Sequence, residues 1–206
     1  MKFALFGLVM LLSFSCFAQK KSLKVLDATG ISGIVLSSDE VFKISVSAAP
    51  VEEISIKTEA EGEYYNNISL DSEIKGNKLI LSSRFQKNLQ EGFDKLSAHK
   101  VFSLKVDLEI PEGMILEINS NLASVFCSGK YEALYIQLKS GSCYLENFTG
   151  NATVNTFNGN IEVETSNATV EANSRHGKME ISGNNFGKNK IILKSINGDI
   201  SFNEVE

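Results

Sequence analysis

The sequence predicts an all-β protein: an irregular β-strand N-terminal region capping a C-terminal β-solenoid. Three observations predict it. Gly141, Gly159, Gly177 and Gly198 recur at spacings of 18, 18 and 21, with Ala123 lying 18 before the first. Four apolar columns align on those anchors. Leu116, Leu134, Ala152, Val170 and Ile191 make one, and Ile118, Ile136, Val154, Ala172 and Leu193 the next. Val125, Cys143, Ile161, Met179 and Ile200 make the third, and Cys127, Leu145, Val163, Ile181 and Phe202 the fourth. The chain is 43% apolar, so chance would fill roughly nine of these twenty positions. Within each repeat the apolar residues alternate, the period of a strand with one buried face.

The N-terminus comes first in chain order. Lys2 is the sole charge before Lys20, and an apolar run from Phe3 to Phe14 lies between them. That run is shorter than the ~20 residues that span a bilayer. With Cys16-Phe17-Ala18 before Gln19 it reads as a signal peptide over 1–18, removed on export. The alternative is a lipid anchor at Cys16, although Ser13-Phe14-Ser15 is an unusual run before a lipidated cysteine. Cleavage leaves 206 − 18 = 188 residues and a net charge of 19 − 25 = −6. An acidic chain without a basic stripe argues against nucleic acid as a partner. No second segment is apolar enough to span a membrane.

Residues 19–113 are β-rich but lack the 18-residue period. Val41 to Val46, Glu53 to Lys57, Lys78 to Leu81 and Val101 to Ile110 read as strands, the last stopping at Pro111-Glu112-Gly113. This region is expected to cap the repeats of 114–206, whose open end would otherwise expose unpaired backbone.

Each repeat reads as strand, turn, strand, turn. Asn158-Gly159 and Asn197-Gly198 are turn dipeptides expected to use positive φ, and His176 fills the same slot. Asn119, Gln137, Asn155 and Asn173, with Lys194 fifth, form an amide column expected to hydrogen-bond along the stack. Ser120, Thr156, Ser174 and Ser195 form a hydroxyl column. One repeat buries too little apolar surface to offset the ordering of its own chain, so repeats must stack. The alternative is an antiparallel β-sandwich or meander, with a hairpin at Asn158-Gly159. Cys127 and Cys143 point inward from different columns, too far apart for a disulfide, and are expected to be buried free thiols.

Candidate sites are weak. Ser97-Ala98-His99-Lys100 carries an S-x-x-K pattern without the further motifs its chemistry needs, and reads as a polar loop. Glu59, Glu61 and Glu63 could share a strand face toward a hard cation, but read better as a solvated edge. Arg175, His176 and Lys178 crowd one turn. Phe126, Tyr144 and Tyr135 point outward on the first repeats, where residues 84–100 are expected to cover them. Sequons at Asn67, Asn147, Asn151 and Asn167 are given little weight. No acidic cluster stands out on one repeat face. The reading names no catalytic, cofactor-binding or metal-binding residue.

The signal, the β-rich leader and repeats such as ATVNTFNGNIEVE and IILKSINGDISF resemble a family of bacterial exported β-strand-repeat proteins described as "putative adhesins" of uncharacterised function. The resemblance covers residues 100–206 well and the leader loosely. It implies a right-handed β-solenoid at the cell envelope and no catalytic residues. The expected function is a non-enzymatic, adhesin-like binding module in the periplasm, outer membrane or cell surface. The alternatives are a polysaccharide-binding or polysaccharide-active β-helix, and a periplasmic partner of a membrane protein.

Overall fold

A computed structural model describes residues 19–62, 68–85, 102–183 and 186–205. It is all-β, with no helix among the described residues. The strands are β1 (Gln19–Asp27), β2 (Gly33–Ser38), β3 (Val41–Ala49), β4 (Glu53–Gly62), β5 (Ile68–Lys75), β6 (Lys78–Phe85), β7 (Phe102–Pro111), β8 (Ile115–Ser120), β9 (Ser124–Ser140), β10 (Cys143–Asn158), β11 (Ile161–Thr165), β12 (Ala168–Ser174), β13 (Met179–Ser182), β14 (Asn189–Asn197) and β15 (Ile200–Glu204).

All fifteen join one large mixed sheet, because β9 and β10 each serve two ladders. Early β9 pairs with β3 and late β9 with β8, while early β10 pairs with β11 and late β10 with β14. Gly129 (φ 96°) and Asn147 (φ 47°) lie where the two strands turn from one ladder to the other. The first ladder runs β5–β6–β2–β8–β9–β10–β14–β12; the second runs β1–β4–β7–β3–β9–β10–β11–β15–β13. From β6 and β7 to the C-terminal end every pairing is parallel. Antiparallel pairing is confined to β1–β4–β7 and β5–β6. Both ladders contribute to one core, which includes Leu116, Leu134, Val154 and Ile191 from the first and Val125, Cys143 and Ile161 from the second.

The apolar columns hold residue for residue. Leu134 lies opposite Leu116 and Ala152, and Cys143 opposite Val125 and Ile161. No hairpin forms at Asn158-Gly159, which leads from late β10 into β11, itself parallel to early β10. The order of the repeats differs from the sequential stack expected. β14 sits between β10 and β12, and β15 between β11 and β13, so the last repeat in sequence is inserted ahead of the one before it. Ile191 therefore touches Ala152 on one side and Val170 on the other. β12 and β13 become the edge, and Met179 and Ile181, expected inside, are 50% and 43% exposed. Among the described residues, none beyond them completes the column.

The N-terminal region is more regular than its sequence suggests. β2 and β3 form a repeat in register with β8 and β9, Ile34 and Leu36 against Leu116 and Ile118, Ile44 and Val46 against Val125 and Cys127. β6 and β7 extend the same columns, with Leu79 against Ile34 and Val106 against Ile44. Here too the order is transposed, since β2–β3 precedes β6–β7 in sequence but lies between them and β8–β9.

The turns explain the glycines differently from expectation. Asn158, His176 and Asn197 do not have positive φ, nor do Gly159, Gly177 and Gly198. A Cβ on Gly159 would overlap the Gly141 carbonyl, and one on Gly198 the Gly159 carbonyl. Close stacking of turn on turn requires glycine there. The non-glycine residues with positive φ are two of the sequon asparagines, Asn147 and Asn167 (φ 55°), at corners between the ladders.

A side-chain ladder ties successive turns together. Ser124 Oγ accepts from Ser142 N (3.3 Å), Ser142 Oγ from Asn160 N (3.1 Å), Asn160 Oδ1 from Asp199 N (3.0 Å) and Asp199 Oδ1 from Lys178 N (2.7 Å). Its order follows space, passing through Asp199 before Lys178. The hydroxyl column is buried at Ser120, Thr156 and Ser195, and Ser38 joins it. These groups hold the turns. Ser38 Oγ accepts from Val41 N and Ser120 Oγ from Ala123 N, both at 3.0 Å, and Thr156 Oγ1 donates to Gly159 O at 2.9 Å.

Candidate functional site

A parallel sheet with every strand in one register repeats its outward side chains at the strand spacing of ~4.8 Å. On the first ladder that repetition builds a groove of about 750 Å³, within the size range of ligand sites. Its floor is a row across five adjacent strands, Ser37, Asn119, Gln137, Asn155 and Lys194, each opposite the next. The neighbouring outward row brings Asp39, Asn121, Lys139, Phe157 and Ile196 to one side. Glu40 and Ser83 close the β6 end and are hydrogen-bonded to each other.

This floor is the amide column read from the sequence, but it does not bond along the stack. Asn119 Nδ2 donates to Glu117 Oε1 on its own strand (3.0 Å). Among the described residues, the Gln137 and Asn155 amides have no hydrogen-bond partner. Gln137 is exposed and Asn155 half-buried. Asp39 Oδ1 accepts from Asn121 Nδ2 (2.7 Å). Phe157, 51% exposed, puts an aromatic face beside the amides.

The second ladder carries a different outer surface. Phe126 and Tyr144 stack at 4.7 Å with planes 10° apart, and Lys43 Nζ lies 4.6 Å from the Phe126 ring centre. The stacking follows from their pairing on adjacent strands. The cover expected from residues 84–100 falls almost wholly outside the described residues. Arg84 lies in the first ladder, paired with Asp71 at 2.7 Å. Further along, Glu146, Glu162, Glu164 and Glu180 share one shallow pocket, an acidic cluster that the sequence reading missed because its members sit in three different repeats.

The remaining candidates disperse. Ser97, His99 and Lys100, Glu63 and Asn67, and Cys16 with the signal segment lie outside the described residues. Glu59 and Glu61 stand on β4, which is flanked by β1 and β7 and is no edge. Glu59 pairs with Lys21 (3.0 Å) and approaches Lys105 (4.0 Å), whose own charge is stabilised chiefly by Asp107. No group of His, Cys, Asp and Glu among the described residues is arranged to hold a metal ion. Arg175, His176 and Lys178 are exposed on the β12–β13 turn, where the Arg175 and His176 amides donate to Ser195 and Ile196 carbonyls (3.1 and 3.0 Å).

Cys127 and Cys143 are free and buried. Burial pushes the Cys127 thiol up to about 12, and raises Cys143 well above its ordinary range. The nucleophilic thiolate is therefore suppressed. Tyr131, buried beside Cys127 and also raised by burial, donates its hydroxyl to Val46 O at 3.1 Å and packs on Phe148. These groups form core.

No family model matches the chain, and no curated protein matches it. Solved structures do. One from Clostridium sporogenes, described as a "putative cell adhesion protein", shares 16% identity over 91% of this chain and 100% of its own, with a TM-score of 0.63. A "putative adhesin" from Bacteroides fragilis shares 11% identity over 90% and 97% of the two chains, with a TM-score of 0.37, too low to support an argument. At these identities the likeness is one of architecture: the chain has the fold of the Clostridium sporogenes protein.

Proposed function

We propose that this chain is a non-enzymatic, exported binding module of the cell envelope or surface, its two ladders wound as a right-handed β-solenoid. Parallel pairing in a near-constant register and the side-chain ladder joining successive turns support the winding. The observation that carries the function is the groove. A fully paired sheet holds a row of side chains from five strands at fixed spacing, with amide groups left unpaired among the described residues. Such a surface is preorganised to bind, since little ordering is left to be done on contact. The description of the Clostridium sporogenes protein agrees with this reading.

Protease shaving of intact cells carrying tagged protein tests it. Loss of the tag from unbroken cells is expected for a surface module. Protection that persists until the outer membrane is opened overturns surface adhesion and leaves a periplasmic partner. Release of new chain ends from a polysaccharide panel would overturn the non-enzymatic reading.

A further inference from the structure

We infer that the groove on the first ladder binds a neutral, hydroxyl-rich oligosaccharide lying along the stack, from Ser37 towards Lys194. The inference rests on the binding-module reading and adds the ligand class. Four observations select that class.

The groove lies in mid-sheet. The backbone of β2, β8, β9, β10 and β14 is paired on both sides, so an extended peptide cannot add to it as a strand. The floor offers a hydroxyl and three amides in succession, with the Lys194 ammonium only at its end. Each amide presents a donor and an acceptor together, which suits hydroxyl groups that also do both. A phosphate or sulfate ligand would call for converging cations. Here Lys194 ends the floor row, while the exposed Lys139 shares its flanking row with Asp39, and Glu40 lines the groove as well, so carboxylates accompany the two cations. Both carboxylates are engaged, by Asn121 and Ser83, which limits their repulsion of a neutral ligand.

The aromatic face of Phe157 stands beside Asn155 on the same strand, placed to receive the C–H face of a sugar ring. The row repeats at ~4.8 Å over four strand intervals, about 19 Å in all. The adjacent amides of Gln137 and Asn155, flanked by Asn119, suit a chain that presents like groups at successive steps.

The test uses the described chain with ¹⁵N-labelled side-chain amides, titrated with cellotetraose, chitotetraose and, as an acidic probe, tetragalacturonate. At least one neutral tetrasaccharide is expected to shift the Gln137 and Asn155 amide signals. The double variant Gln137→Ala/Asn155→Ala is expected to weaken that binding at least about tenfold. Both side chains point outward, so its backbone spectrum should match the parent's. Phe157→Ala should weaken binding separately.

Unmoved amide signals with both neutral probes, a response to tetragalacturonate alone, or undiminished binding by the double variant would each overturn the inference. Isolated cell envelopes separate this failure from that of the underlying reading. If parent and double variant bind envelopes equally, the groove is wrong and the binding module stands. If neither binds, the binding module falls too.

Discussion

Gly159 distinguishes two physical reasons for a glycine. If the turn needed positive φ, Asn would substitute well and Ala poorly, because Asn tolerates the left-handed region. The structure gives another reason. A Cβ at Gly159 would fall on the Gly141 carbonyl, far inside the 3.0 Å that real Cβ contacts respect. Gly159 itself does not adopt a left-handed φ. Either side chain would force the two turns apart by about an ångström or more. Four backbone hydrogen bonds cross these turns: Gly141 N to Asn158 O (3.0 Å), Cys143 N to Asn160 O (2.9 Å), Gly159 N to Asn197 O (3.3 Å) and Ile161 N to Asp199 O (2.9 Å). Losing two or three, at about 1 kcal/mol each, gives about 2–3 kcal/mol. For a domain of this size that lowers Tm by about 5–12 °C. Thermal unfolding of Gly159→Ala and Gly159→Asn should show equal losses. Gly76 is the control: it has φ +62° and nothing within 4 Å of a built Cβ. There Asn should be milder than Ala, and Ala should cost about 1 kcal/mol. Should Gly159→Asn melt with the parent while Gly159→Ala does not, the stacking argument is wrong.

Other predictions address the core and the chain order. Phe148→Ala should cost about 3–5 kcal/mol in denaturant unfolding, since the ring is 1% exposed and packs on Tyr131 at 5.7 Å. Alkaline stability should reflect Cys127. Its folded-state pKa is raised above the ordinary 9.0 to about 12, so its contribution is complete below about pH 9 and is lost as pH rises towards 12. The gap corresponds to at most about 4 kcal/mol. Cys127→Ala should flatten this decline without abolishing it, because Cys143 and Tyr131 are raised in the same direction. Truncation after Ser182 should expose more than an end strand. Among the described residues β12 and β13 pair only with β14 and β15, so hydrogen exchange in 168–182 should become fast, whereas a sequential stack would keep it protected.

What the sequence made legible was the column, because period-two alternation combined with a fixed repeat length places each side chain without knowledge of its neighbour. What it hid was order. Ile191 and Val170 fit the same slot equally well, and no column property says which touches Ala152. The one signal was the last spacing, 21 rather than 18, whose extra residues fall in the passage from β13 to β14. β2–β3 escaped notice because the excursion through β4 and β5 separates it from the repeats it joins. The amide row was visible, but its chemistry was assigned to the stack. The stacking bonds belong to Ser124, Ser142, Asn160 and Asp199, small polar residues of mixed type that form no conspicuous motif. The acidic cluster on the second ladder spreads over three repeats, and the strand order sets Ser201 between Glu162 and Glu180 rather than leaving them side by side.

The transposition has a consequence in time. A chain made from its N-terminus emerges residue by residue, so β12 and β13 appear before the strands they lie against. They have no place to dock until β14 and β15 arrive and seat themselves against β10 and β11. A sequential coil could close turn by turn as it emerged. Here β12 and β13 must wait for strands made after them, so this end of the sheet can be completed only out of the order of synthesis.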